Sequence, residues 1–229
     1  VTFILIPGAG TDPGAWQWTI AELQARGHDA VAPPLPLDDP DAGPSAHADA
    51  IVDAASDIDG PLVVVGQSLG AFAASLVADR IPVAALVLVA PMVPSPGETA
   101  GEWWTAVKHE QAIAPLVQRL GPMSRWGPDE MAEVFLHDVP PETAREAERF
   151  NGIPGPGMFR EPWPLRAWPN VTTRAMAPRD DRLFPLEFQR RVVHERLGQE
   201  VEEIPGGHVP MLARPGELAE RLVLTNAGL

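Results

Sequence analysis

The chain of 229 residues contains no cysteine. That excludes disulfides, a thiolate nucleophile and zinc held by thiolates, and it suits an intracellular compartment. Lysine occurs once, at Lys108, and 31 acidic residues against 17 basic ones give a formal net charge of −14. A chain this poor in positive charge lacks the footprint for nucleic acid or an anionic membrane, so neither is expected as a partner. Long apolar runs are also missing. The longest, Val83 to Val93, is too short to span a bilayer and is broken by Pro91. No charged-then-apolar leader opens the chain, whose first residues already read as a strand; a cytoplasmic protein without a signal peptide is expected.

What is present is ordinary for one globular domain, with 45% hydrophobic and 21% charged residues. Val1 to Ile6 reads as a buried strand closed by Pro7-Gly8-Ala9-Gly10. A helix from about Gly14 to Arg26 follows, with Asp12 as N-cap and Gly27 as its stop. Then come a short strand at His28–Ala32, a helix from Ser45 to Ile58, a strand from Leu62, a helix ended at Ile81-Pro82, and a strand at Val83–Ala90. Such alternation predicts an α/β fold with a parallel sheet covered on both faces.

From about Pro91 to Pro169 the texture changes to Pro- and Trp-rich helical pieces, expected at Glu102–Leu120, Pro128–Phe135 and Pro141–Phe150. This stretch, 93–168, is expected to be a small helical cap inserted into a core made of 1–92 and 169–229. The alternation resumes with a strand at Val171–Ala177, a helix at Pro185–Leu197, a strand at Gln199–Ile204 and a last helix at Met211–Leu224.

One stretch organises the rest. Leu62-Val63-Val64-Val65-Gly66-Gln67-Ser68-Leu69-Gly70 runs from an apolar strand through a serine into an alanine-rich helix. The spacing Gly66-x-Ser68-x-Gly70 is that of a nucleophile elbow, whose glycines let the backbone close without side-chain collisions. The helix start beyond it offers amides to an oxyanion.

A serine nucleophile needs a base, and the base an orienting acid. Of the six histidines, His208 stands in the glycine-flanked loop Pro205-Gly206-Gly207-His208, directly after the last strand and thus at the same sheet edge as the elbow. The acid belongs in the loop after Val171–Ala177, where Asp180 and Asp181 compete; neighbours on extended backbone point opposite ways, so one of them faces the histidine. The oxyanion hole should pair the amide of Leu69 with that of Ala9 in the turn after the first strand. His137-Asp138 is a lone pair read as a cap contact, so no metal site is expected.

These residues, in the order Ser68, Asp, His208, with the Pro7-Gly8-Ala9 turn, resemble the α/β-hydrolase superfamily over essentially the whole chain. Pro7-Gly8-Ala9-Gly10, Gly14-Ala15-Trp16-Gln17-Trp18 and Gly66-Gln67-Ser68-Leu69-Gly70 look like the small serine esterases grouped with plant methylesterases and hydroxynitrile lyases. The resemblance implies a mostly parallel six-stranded sheet. Its acid-loop pattern, Gly-x-x-Asp-x-x-x-Pro, laid on Pro178 to Pro185 selects Asp181. Two departures stand out. Pro7 replaces the family's usual histidine, and Val209 occupies the place where the lyases carry a lysine that binds the nitrile.

The implied activity is cofactor-free hydrolysis of a small-molecule ester by a Ser68-His208-Asp181 triad. Trp103, Trp104, Phe135 and Phe159 are candidate pocket walls. Thioester or amide hydrolysis, lyase or perhydrolase chemistry, and a non-catalytic small-ligand receptor are the alternatives on this scaffold. A homodimer is left open.

Overall fold

The apolar runs become six parallel strands in the computed structural model, which describes residues 1–227. In chain order they are β1 (Thr2–Ile6), β2 (Asp29–Val31), β3 (Leu62–Gln67), β4 (Ala85–Val89), β5 (Thr173–Pro178) and β6 (Val201–Ile204). Their spatial order is β2-β1-β3-β4-β5-β6. The direction of winding reverses at β1, so a crevice opens beyond the carboxyl ends of β1 and β3.

Both faces of this sheet are covered, which is why its strands are apolar throughout. Phe3, Leu5, Val63, Val65, Val87 and Val89 point to one side; Ile4, Ile6, Val64, Leu86 and Leu88 point to the other. Helices α1 (Gln17–Ala25), α2 (Pro44–Ala55) and α3 (Gly70–Arg80) connect the first four strands. Between β4 and β5 the chain makes a helical excursion: α4 (Ala100–Ala106), α5 (His109–Ala112), α6 (Ala114–Leu120), α7 (Pro128–Phe135), α8 (Pro141–Ala147) and α9 (Gly157–Arg160). After β5 come α10 (Leu186–Leu197), α11 (Pro210–Ala213) and α12 (Pro215–Ala227). Buried residues of α1, α11 and α12 pack on the first face, and those of α2, α3 and α10 on the second.

Four expected helices are subdivided, Pro141–Phe150 among them, which becomes α8 followed by a tight turn at Glu148–Phe150. The stretch Glu102–Leu120 breaks into three because Lys108 is left-handed (φ 54°) and Pro115 restarts the chain as a new first turn. The last helix breaks at Arg214, ahead of Pro215. The first opens as a tight turn, Pro13–Trp16, where the Asp12 carboxylate accepts the Gly14 N–H at 2.7 Å.

Tryptophans tie the excursion to the sheet's helices and loops. Trp103 Nε1 donates to Val93 O at 3.0 Å, Trp163 Nε1 to Ser75 Oγ at 2.9 Å and Trp168 Nε1 to Pro94 O at 3.1 Å. Each ring thus buries a large apolar area without leaving its N–H unpaired. Among the described residues, no helix is long and apolar enough to cross a membrane.

Candidate active site

β3 delivers the chain into a turn so tight that side chains are excluded on both sides of Ser68. A Cβ at Gly66 would lie 2.7 Å from the Ala74 Cβ, and one at Gly70 would lie 2.4 Å from Pro7 O. Ser68 itself has φ 52°, a conformation that costs a non-glycine residue about 1–3 kcal/mol. The surroundings hold it there. The Ser68 N–H donates to Val89 O at 3.0 Å, and its carbonyl accepts the Met92 N–H at 3.1 Å.

The loop after β6 brings His208 to this serine, with Oγ 3.1 Å from the imidazole Nε2. The loop after β5 brings Asp181, whose Oδ2 lies 2.8 Å from Nδ1 of the same ring. A proton on Nδ1 satisfies the carboxylate and leaves Nε2 to accept from the Ser68 hydroxyl. The other Asp181 oxygen accepts the N–H groups of Leu183 and Phe184, both at 2.8 Å, so the carboxylate is aimed before any substrate arrives. Ser68, Asp181 and His208 are 8%, 4% and 2% exposed, a setting in which charge interactions are strong. Asp180 lies outside this group. It is exposed, 3.6 Å from Arg179, and accepts the Gly206 N–H at 3.3 Å.

Among the described residues, the amides of Ala9 and Leu69 donate to nothing in the protein. Leu69 precedes the first turn of α3; Ala9 follows Gly8, whose hypothetical Cβ would come 2.9 Å from the Ser68 Cβ. The turn after β1 is therefore folded close against the serine.

The four aromatic wall candidates separate. Phe135 sets its edge against the His208 ring, with centroids 5.2 Å apart. Trp103 has no exposed surface and packs on Phe184 and Phe188. Trp104 packs edge-on against Trp103 and His109. Phe159 is half-buried against the core on the α2–α3 side.

Three side chains emerge that sequence reasoning did not single out for the site. Gln67, the residue before the serine, is 2% exposed; its Nε2 donates to His208 O at 3.0 Å and its Oε1 accepts the Gly8 N–H at 2.9 Å. Its signal was a polar residue ending an otherwise apolar strand. Buried His109, from α5, donates from Nε2 to Leu183 O at 2.7 Å, inside the loop that carries Asp181. Burial lowers its pKa, opposed by that hydrogen bond and by the nearby Asp181 charge. Asp138, read as half of a cap contact, accepts the Gly207 N–H at 2.8 Å, one residue before His208. Among the described residues no group of three or more metal-ligating side chains is assembled.

The model of the alpha/beta hydrolase family matches residues 3–221. "Probable esterase PIR7A" of Oryza sativa subsp. indica is 29% identical, the match covering 96% of this chain and 95% of that protein. Methylesterase 7 of Arabidopsis thaliana is 26% identical, covering 96% and 94%. Among solved structures, a pyrethroid hydrolase from Sphingobium faniae JZ-2 superposes with a TM-score of 0.80 at 24% identity, covering 99% of this chain and 97% of that one.

Proposed function

The chain belongs to the alpha/beta hydrolase family, and from that we propose that it is a carboxylesterase-like serine hydrolase cleaving a small ester through an acyl-enzyme. One observation carries the reading: an unbroken line of hydrogen-bond contacts, 3.1 and 2.8 Å long, from the Ser68 hydroxyl through His208 to Asp181. The names of the relatives, esterase and methylesterase, support an ester as the bond that is cut.

In the first half-reaction, His208 Nε2 takes the hydroxyl proton as Ser68 Oγ attacks the ester carbonyl. The carbonyl oxygen becomes an oxyanion, which the free amides of Ala9 and Leu69 would hold with help from the positive end of α3. His208 then returns the proton to the departing alkoxide, which leaves as an alcohol. Water repeats the sequence on the acyl-enzyme and releases the acid. Asp181 stays ionised, orients the imidazole and stabilises the imidazolium. Phe135, edge-on to His208, would shield that ring from water. The steps use no cofactor and imply a small-molecule partner.

A specific feature weighs against lyase chemistry. Val209, directly after His208, is apolar and packed into the core, while Lys108 is exposed on the turn between α4 and α5. No lysine ammonium stands beside the base.

Labelling with a fluorophosphonate tests the reading. The wild type should label and Ser68→Ala should not. An unlabelled wild type, or equal labelling of both, would overturn it.

A further inference from the structure

A cavity of about 280 Å³ lies beside the oxyanion turn. Its walls include Ala9 from that turn, Gly70 and Ala73 from the first turn of α3, and Leu35, His47 and Met158. Gly8, whose hypothetical Cβ would come 2.9 Å from the Ser68 Cβ, and Gly70, two residues beyond the serine, thus belong to one wall; Ser68, Leu69 and the loop that carries His208 do not contribute to the lining.

That placement decides which half of an ester fits there. The leaving oxygen must come within reach of His208 Nε2 to receive its proton, so the alcohol has to extend toward the His208 side. The acyl substituent extends away from it, past the amides of Ala9 and Leu69. Resting on the esterase reading above, we propose that this cavity is the acyl pocket, and that the acyl group it takes is short, uncharged and carries a hydroxyl or carbonyl for His47.

Size comes first. The volume falls just below the about 300–1,000 Å³ usual for small-molecule sites. Its walls are stitched in place. The Gly152 N–H donates to Gly10 O at 2.7 Å, the Asp12 N–H to Phe150 O at 2.8 Å, and the Gly157 N–H to Pro40 O at 2.9 Å. Glycine makes these approaches possible: a Cβ at Gly157 would sit 2.3 Å from Asp41 O. A long acyl chain would have to break them.

Polarity comes next. His47 is 6% exposed, lines the cavity, and its ring makes no hydrogen bond within the described protein. Its ring nitrogens are not fully enclosed, so an oxygen of a ligand in the cavity can hydrogen-bond to them without displacing a protein partner. Burial lowers the pKa of His47, opposed by Glu161, so the ring meets a ligand as a neutral donor or acceptor. Charge comes last. Asp38 and Asp39 line the exposed rim, and repel an anionic acyl group.

The test uses two series of esters. One keeps p-nitrophenol as leaving group and varies the acyl part over acetate, butyrate, 3-hydroxybutyrate, octanoate and monosuccinate. The other keeps acetate and varies the alcohol. The wild type should prefer 3-hydroxybutyrate over butyrate and act least on octanoate and monosuccinate. His47→Leu should lower the hydroxybutyrate-to-butyrate ratio of kcat/KM at least tenfold. Ala73→Leu should move the acyl optimum toward acetate without reordering the alcohols; Met158→Ala, which removes volume instead of adding it, should move the optimum toward longer chains. An unchanged ratio in His47→Leu, or size variants that reorder the alcohols, would overturn the assignment while leaving Ser68 labelled. A wild type that neither labels nor cleaves any ester would overturn the esterase reading and this proposal with it.

Discussion

The side-chain amide of Gln67 donates to the main-chain carbonyl of His208 across 3.0 Å. Through its oxygen it also accepts the Gly8 N–H, so one buried amide joins the loop that carries His208 to the turn that carries Ala9. Replacing it with leucine leaves two main-chain groups unpaired, at about 1–3 kcal/mol for a buried group. Gln67→Leu is expected to unfold at lower urea and to lose about 10–100-fold in kcat, the range that follows from misplacing catalytic groups by a fraction of an ångström. Gln67→Glu keeps an acceptor for Gly8 and presents a carboxylate to the His208 carbonyl, so it should repair stability less than its shape suggests. Urea unfolding beside steady-state kinetics checks both; a kcat within twofold of wild type in the leucine variant would mean the two loops hold their own positions.

The adjacent aspartates should separate by orders of magnitude. Asp181 is enclosed and bonded to His208, whereas Asp180 is exposed beside Arg179. Asp181→Asn presents an amide in place of the acceptor and favours the wrong imidazole tautomer, a change worth on the order of 10⁴ in kcat in a triad. Asp180→Asn keeps an oxygen for the Gly206 N–H and should stay within a few-fold. The comparison needs one ester and both purified variants; the reverse order would reassign the acid.

These two cases mark what a sequence discloses. The sheet was legible because β1, β3 and β4 are buried on both faces and must be apolar throughout, and the elbow because Gly66 and Gly70 answer to a steric demand local to five residues. Asp181 needed more: extended backbone splits the pair, and only the acid-loop pattern chose between them. Gln67 and His109 act through contacts to residues 141 and 74 positions away, which no local pattern encodes. The helices of the excursion were blurred for a related reason. Lys108 adopts a left-handed conformation that nothing in its residue type demands, in a turn flanked by the buried Trp103 and His109.

His109 should make stability depend on pH. Its ordinary pKa of 6.5 is lowered by burial in the fold. Between the two values the unfolded chain binds the proton and the folded one resists it. Stability is therefore full above 6.5 and is lost as pH falls from there through the lowered folded value. His47, also lowered by burial, adds in the same sense. Urea midpoints at pH 7.5 and 5.5 should fall for the wild type, and His109→Gln, which can still donate to Leu183 O, should show a smaller fall. An identical fall in both proteins would remove His109 as a source.

The contact between Asp138 and Gly207 links the helical excursion to the loop that carries His208. Asp138 follows α7 and accepts the N–H one residue ahead of His208, while Asp180 grips Gly206 from the acid loop. Around these glycines His137 Nε2, Asp138 Oδ1 and Arg214 Nε are packed close, and none of them makes a hydrogen bond within the described protein. A Cβ at Gly207 would fall 2.8 Å from both Asp138 Oδ1 and His137 Nε2, closer than any side chain sits in practice. Asp138→Ala is expected to lower kcat about tenfold with KM changed less than threefold, because it releases the loop behind the imidazole and leaves the cavity beside Ala9 untouched. Asp138→Asn keeps one oxygen for the Gly207 N–H and should recover most of that loss. If the two variants lose kcat equally, the hydrogen bond to the Gly207 N–H is not what holds the His208 loop in place.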